Sequence, residues 1–253
     1  MTQKDFTGGG DPGRSLGLLW GRHETGRRGP KPRFSAEDVV AAATTIADAE
    51  GLPALSMRRV AEAMGVSPMS LYTYVPSKAE LVDLMFDRAM GAMADPDDSV
   101  CGWRARLTFV ARQRWALVER HPWVLDLALH RPPLGPNVMA KYEWELQAVE
   151  GIGLDDVEMD AAIALVNGYV HGAVRSAVEA ATVIQRTGIT DKQWWEAHEP
   201  LLDKIGDTKK FPLASRVGTT VGMEFDAPYD SEHSFEFGLA RVLDGIATLL
   251  GNR

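Results

Sequence analysis

Apolar residues recur at helical spacing along most of this chain, separated by polar stretches carrying Gly or Pro. Val39, Val40, Ala43, Ile46 and Ala47 form the first clear stripe, opened by Ser35 with Asp38 three positions on and closed by Gly51-Leu52-Pro53. Ser56 then caps a short helix whose Val60, Ala61 and Met64 share a face, and Gly65 can end it in the left-handed conformation. Ser67 is a second N-cap and Pro68 sits at the first helical position, where no amide donor is needed. Leu71 and Val75 point inward from that helix, Ser70, Thr73 and Tyr74 point out, Tyr72 lies on the flank, and Pro76 stops it. Ser77, with Glu80 completing a capping box, predicts a linker helix to about Ala94 with Leu81, Leu84, Met85 and Ala89 as its apolar stripe. Asp95-Pro96-Asp97-Asp98 breaks it.

Further helices are expected over Trp103–Arg120, from Pro122 to about Leu129, from Pro136 to Glu150, and from Asp155 to about Gln185. The last of these is rich in small residues and apolar over more than one stripe, one for its own core and one for a partner. Residues 186–230 are poorly periodic except near Trp194–Ile205 and read as a partly mobile insert; Trp194 and Trp195 suit a core or an interface. A strong helix returns over Phe235–Leu250. No run alternates as a strand does, so the pattern predicts an all-α chain. Three parts follow: a flexible basic tail over 1–34 with a brief apolar patch at Ser15–Trp20, a small helical domain with its linker helix over 35–94, and a larger helical body over 95–253.

The predicted helix from Pro68 is about eight residues, roughly 12 Å long, which suits a DNA major groove about 12 Å wide. No acid occurs between Glu62 and Glu80, so its outer face offers hydroxyls and aromatics without repelling phosphate. Charge supports this reading. The net charge is −8, yet residues 1–90 balance at 11 basic and 11 acidic groups, and the excess acid lies beyond them. Arg22, Arg27, Arg28, Lys31 and Arg33 lie just before the small domain, placed to track phosphates or a minor groove. The single cysteine, Cys101, rules out a disulfide within one chain, and a reducing cytoplasm fits. No stretch has the 18 or so apolar residues of a membrane span, and no secretory signal opens the chain.

Taken together, ALSMRRVAEAMGVSPMSLYTYVPSKAELVD and its surroundings from Ser35 to Leu84 closely resemble the tetracycline-repressor (TetR) family of transcription factors. The resemblance continues more loosely through Trp103 to His121, His130-Arg131-Pro132, the Asp155–Gln185 helix and FEFGLARVLDGI at Phe235–Ile246. It implies a three-helix DNA-binding domain, a larger ligand-binding domain, and a homodimer joined through the long helix and the last one. By position, Ser56 and Arg58 would start the positioning helix. Ser67, Pro68, Met69, Ser70, Tyr72, Thr73 and Tyr74 would form the recognition surface, and Lys78 would hold a phosphate. Two copies would read a palindromic operator with half-sites roughly 34 Å or more apart.

The resemblance also implies a small-molecule pocket between about Trp103 and Val178. Candidate polar groups are Arg114, His130, Tyr142, Asn167 and His171, with Phe109 and Trp115 as apolar wall; His171 equally suits a core or dimer interface. The family founder's magnesium-binding histidine falls near Leu127 or Ala128, neither a ligand, so no metal or other cofactor is expected. The implied mechanism is a repressor released from DNA when an effector shifts the populations of two states through the linker helix. A partner protein in place of the small effector is the alternative. An enzyme is not expected: there is no nucleophile elbow, phosphate loop or metal-ligand histidine spacing.

Overall fold

The computed structural model describes residues 7–22, 33–97, 99–205 and 209–251. These form helices and turns, with no strand among the described residues. Eleven α-helices are described: α1 (Pro12–Leu19), α2 (Ala36–Glu50), α3 (Met57–Met64), α4 (Pro68–Leu71), α5 (Lys78–Gly91), α6 (Trp103–Arg120), α7 (Pro136–Val149), α8 (Asp156–Thr187), α9 (Asp191–Ile205), α10 (Pro212–Phe225) and α11 (Ser231–Gly251). They fall into two compact units, one reaching to Asn167 and one starting at Gly168. The first unit takes in α6 and α7 along with the helices before them; α7 packs on α5 and on α6.

Within the first unit, α2 carries the expected capping box: Asp38 N donates to Ser35 Oγ at 3.2 Å and Ser35 N to Asp38 Oδ2 at 2.8 Å. Those bonds to Ser35 hold the Asp38 carboxyl below its ordinary value. Val39, Ala43, Val60, Ala61, Leu71, Val75, Leu81 and Met85 are all buried and form the core of the small domain. A polar tie joins α2 to the turn after α6. Asp48 Oδ1 accepts from Trp123 Nε1 at 2.7 Å and from His121 Nδ1 at 2.8 Å.

Several expectations change. The Ser15–Trp20 patch is a helix, not tail: Asp11 caps α1, and Leu18 and Leu19 are buried. Arg27, Arg28 and Lys31 lie outside the described residues. Pro122–Asp126 is a short 3-10 helix, since Leu127 turns extended. The linker helix is buried around most of its circumference, not along one stripe. Ser77 and Glu80 do not make a capping box either. Ser77 Oγ accepts from Ala79 N at 3.1 Å and meets the Glu80 carboxylate directly, while Glu80 Oε1 is occupied by Asp11 N–H at 3.2 Å.

In the second unit, the 186–230 segment is largely helical. Amphipathic α9 and α10 join through Trp195, whose ring lies against Gly222 where any Cβ would overlap it, and through Lys192 Nζ to Asp226 Oδ2 at 2.8 Å. Tyr169 on the second half of α8 donates to the carbonyl oxygens of Ser234 and Phe235 on α11, at 3.0 and 2.9 Å. Val183, Phe237 and Leu249 remain exposed on α8 and α11, as do Leu213, Val217 and Met223 on α10.

Candidate nucleic-acid interface and regulatory site

The helix pair α3–α4 is built by its caps. Ser56 Oγ accepts from Arg59 N at 3.2 Å, and Gly65 closes α3 at φ 66°, ψ 36°, a conformation that costs glycine nothing. Ser67 Oγ accepts from Ser70 N at 3.3 Å, and Pro68 follows as the first residue of α4. Regular α-helix ends at Leu71, shorter than the eight residues expected. Tyr74 N still bonds Leu71 O at 2.9 Å and Val75 N bonds the same oxygen at 2.9 Å, so the chain stays coiled to Val75.

The outer surface is now explicit. Met69 is 75% exposed and Tyr72 45%. Ser56, Arg58, Ser67, Pro68 and Thr73 are exposed as well; Ser70, Tyr74 and Lys78 are half-buried. All the DNA-contact candidates therefore lie on or beside the helix pair, around buried Leu71 and Val75. Thr73 Oγ1 donates to Ser70 O at 2.6 Å and keeps its lone pairs for an acceptor role. Arg58 pairs with Glu62 at 2.9 Å, both side chains largely exposed, so the pair is weak and a phosphate can replace the carboxylate. Glu80 bounds the acid-free segment and is itself 4% exposed, turned away from this surface.

The regulatory candidates are dispersed. Arg114 on α6 donates to Glu145 Oε1 through Nε at 2.8 Å and Nη2 at 2.6 Å. Asn167 on α8 donates to Glu145 Oε2 at 3.2 Å. Glu145 is 1% exposed and organises both, although nothing local in the sequence marks it. The two-donor bond fixes the carboxylate. Asn167 Oδ1 is buried and has no hydrogen-bond partner among the described residues. Beside this cluster Phe109 packs edge-on against Trp144, centroids 5.5 Å apart. Trp115 is half-buried. Tyr142 donates to Asp160 Oδ1 at 2.8 Å, a bond that raises its phenol pKa. His130 is exposed in a turn, and His171 belongs to the second unit, 3.3 Å from Arg175 Nη2. Arg114 and Asn167 thus come together on Glu145.

Comparison with known proteins decides what this frame is. The family described as bacterial regulatory proteins, tetR family, matches residues 39–85, and the tetracyclin repressor-like C-terminal domain matches residues 95–250. The chain belongs to the TetR family. This TetR-family chain is 45% identical over 251 residues to the HTH-type transcriptional repressor DrrR1 of Streptomyces coeruleorubidus, covering 98% of this chain and 90% of that one. It is 35% identical over 159 residues to an HTH-type transcriptional regulator of Saccharopolyspora erythraea, covering 62% of this chain and 66% of that one. Among solved structures, the Streptomyces coelicolor TetR family protein ActR in complex with actinorhodin is 26% identical, with a TM-score of 0.68 over 87% of this chain and all of that one. Apo ActR gives 0.65 over the same shares. The TetR-family chain is accordingly a helix-turn-helix transcriptional regulator and not an enzyme. Among the described residues no helix is long and apolar enough to cross a membrane.

Proposed function

We propose that this regulator is a cytoplasmic repressor, a homodimer that reads a palindromic operator and leaves it when a small effector binds. The observation that carries the reading is the capped α4 with its outward Met69 and Tyr72, set in a surface with no acid from 63 to 79. Ser56, Arg58, Ser67, Pro68, Met69, Ser70, Tyr72, Thr73, Tyr74 and Lys78 supply the base and phosphate contacts. The exposed apolar residues of α8 and α11 supply the dimer contact, where burial of Val183, Phe237 and Leu249 is favourable.

The effector binds in the 95–253 region, near Glu145. DrrR1 is described as a repressor, and ActR is described in complex with actinorhodin and with (S)-DNPA. Those descriptions support a ligand-released repressor here. Of the pocket candidates, Arg114, Asn167, Phe109 and Trp115 are the strongest, with Tyr142 and His130 at the margin; His171 lies in the second unit. An effector can release DNA only by the difference in its affinity for the two states, so binding to a state with displaced α4 helices is what counts.

The test is a mobility shift with the duplex flanking the protein's own coding region, followed by addition of candidate aromatic effectors. Specific retention that an effector abolishes supports the reading. Retention insensitive to every compound that raises the melting temperature counts against the effector half.

A further inference from the structure

One face of α5 is a stripe of acids. Glu80, Asp83 and Asp87 recur at i, i+3, i+7, the spacing of a solvated helix face, yet they are 4%, 1% and 5% exposed. Residues 7–22 cover part of this stripe. Gly8 N donates to Asp83 Oδ1 at 2.9 Å, and Asp11 N donates to Glu80 Oε1 at 3.2 Å. The same segment is tied at both ends to the turn before α7. Thr7, 1% exposed, donates through Oγ1 to Arg131 O at 2.8 Å, and Trp20 Nε1 donates to Leu134 O at 2.9 Å. Asp87 completes the join from below, accepting from Asn137 N at 3.1 Å and Val138 N at 2.9 Å at the start of α7.

The approach is close enough to demand glycine at two points. Gly8 has φ +69°, and a Cβ there would stand 3.1 Å from Arg131 O. A Cβ on Gly10 would stand 2.8 Å from Glu80 Oε1 and from Ser15 Oγ. Farther along, Gly17 has only Arg22 O within reach, at 3.9 Å.

We infer that residues 7–22 are a strap that positions α5, and through it the α3–α4 reading pair, for operator binding. The physical argument is one of compensation. Two buried carboxylates on α5 each take one backbone N–H from the strap, Asp83 from Gly8 and Glu80 from Asp11, while the other Glu80 oxygen is held by Ser77 Oγ. Without them, Glu80 and Asp83 regain hydration by rolling α5 outward. Because α5 begins at Lys78, directly after the reading pair, that roll displaces the pair. In a dimer whose two α4 helices must match two half-sites, a loosened α5 lowers the fraction of molecules poised for DNA, and apparent affinity falls by that fraction. The strap touches none of the proposed DNA-contact residues in any bond described above, so its effect on DNA is indirect. The inference rests on the operator reading for its DNA readout, and a second readout is independent of it.

The experiment compares full-length native protein, Gly10→Ala, Trp20→Phe and Gly17→Ala. Gly10→Ala pushes the strap off Glu80; Trp20→Phe keeps an aromatic ring but removes the indole N–H donor to Leu134 and part of the ring's bulk; Gly17→Ala firms α1. Hydrogen exchange at the amides of residues 82–90 and of Val138 is expected to quicken in the first two and to hold or slow in Gly17→Ala. Operator affinity is expected to fall about tenfold in Gly10→Ala and in the same direction in Trp20→Phe, with Gly17→Ala at least as tight as native. Faster exchange with native operator affinity makes the strap a stability element alone and overturns the inference. Unchanged exchange in both variants overturns it whether or not any operator is found. Native protein that ignores the operator, with exchange quickened as expected, counts against the operator reading and leaves α5 positioning supported. Should Gly10→Ala fail to fold, Trp20→Phe carries both readouts.

Discussion

At the scale of residues, the site divides into side chains that read and side chains that hold. Tyr72→Ala removes an exposed aromatic without opening the core, so operator affinity is expected to fall by roughly 1–3 kcal/mol, as for a lost base contact, while the melting temperature holds. Titrating a labelled duplex checks this; unchanged affinity would misplace the surface. Arg114→Ala belongs to the other class. It strands Glu145 in the interior, and the expected loss is about 3 kcal/mol of stability, read by denaturant unfolding. Asp83 carries the pH prediction. Burial raises its carboxyl above the ordinary 3.8, against the opposing Gly8 hydrogen bond and with the help of the Glu80 charge. A raised carboxyl pKa means that the folded state holds the proton more tightly than the unfolded one. Its contribution to stability therefore declines as pH rises from 3.8 through the folded value, and is flat above that. Asp83→Asn keeps an acceptor for Gly8 and removes the charge. Its stability relative to native protein is expected to rise with pH across that window; an advantage that grows on acidification would contradict the assignment.

At the scale of elements, the caps explain why so short a reading helix persists. Ser67 Oγ satisfies Ser70 N, and Ser67→Ala is expected to cost about 1 kcal/mol and to weaken operator binding along with stability. These signals were legible in the residues: Ser56, Gly65, Ser67-Pro68 and Ser35-Asp38 sit where the structure uses them. What was not legible depended on long-range partners. Ser77 and Glu80 have capping-box spacing, but the N-terminal segment competes for Glu80, and nothing local announces that. The acids of α5 have the spacing of a solvated face, and only their tertiary partners reveal burial. The Ser15–Trp20 patch was too brief to read as a helix until Asp11 was seen to cap it. Glu145 is not legible either, because one acid on an amphipathic helix carries no sign of its partner 31 positions away.

For the whole molecule, family resemblance and structure agree on an all-helical regulator with its reading pair near the N-terminus. The two compact units add something that the motif did not contain. The small domain, α6 and α7 belong to one of them, tied through Asp48 to Trp123 and through Asp87 to the start of α7. α7 packs directly on α5, so a change at α7 reaches α5 without a flexible linker between. The most direct test is a titration of the purified regulator, at moderate salt, against a palindromic duplex from beside its own coding region and against a scrambled duplex of equal composition. The account predicts specific binding at least about a thousandfold tighter than to the scramble, diminished by Tyr72→Ala. Equal affinity for both duplexes, with Tyr72→Ala indistinguishable from native protein, would contradict it.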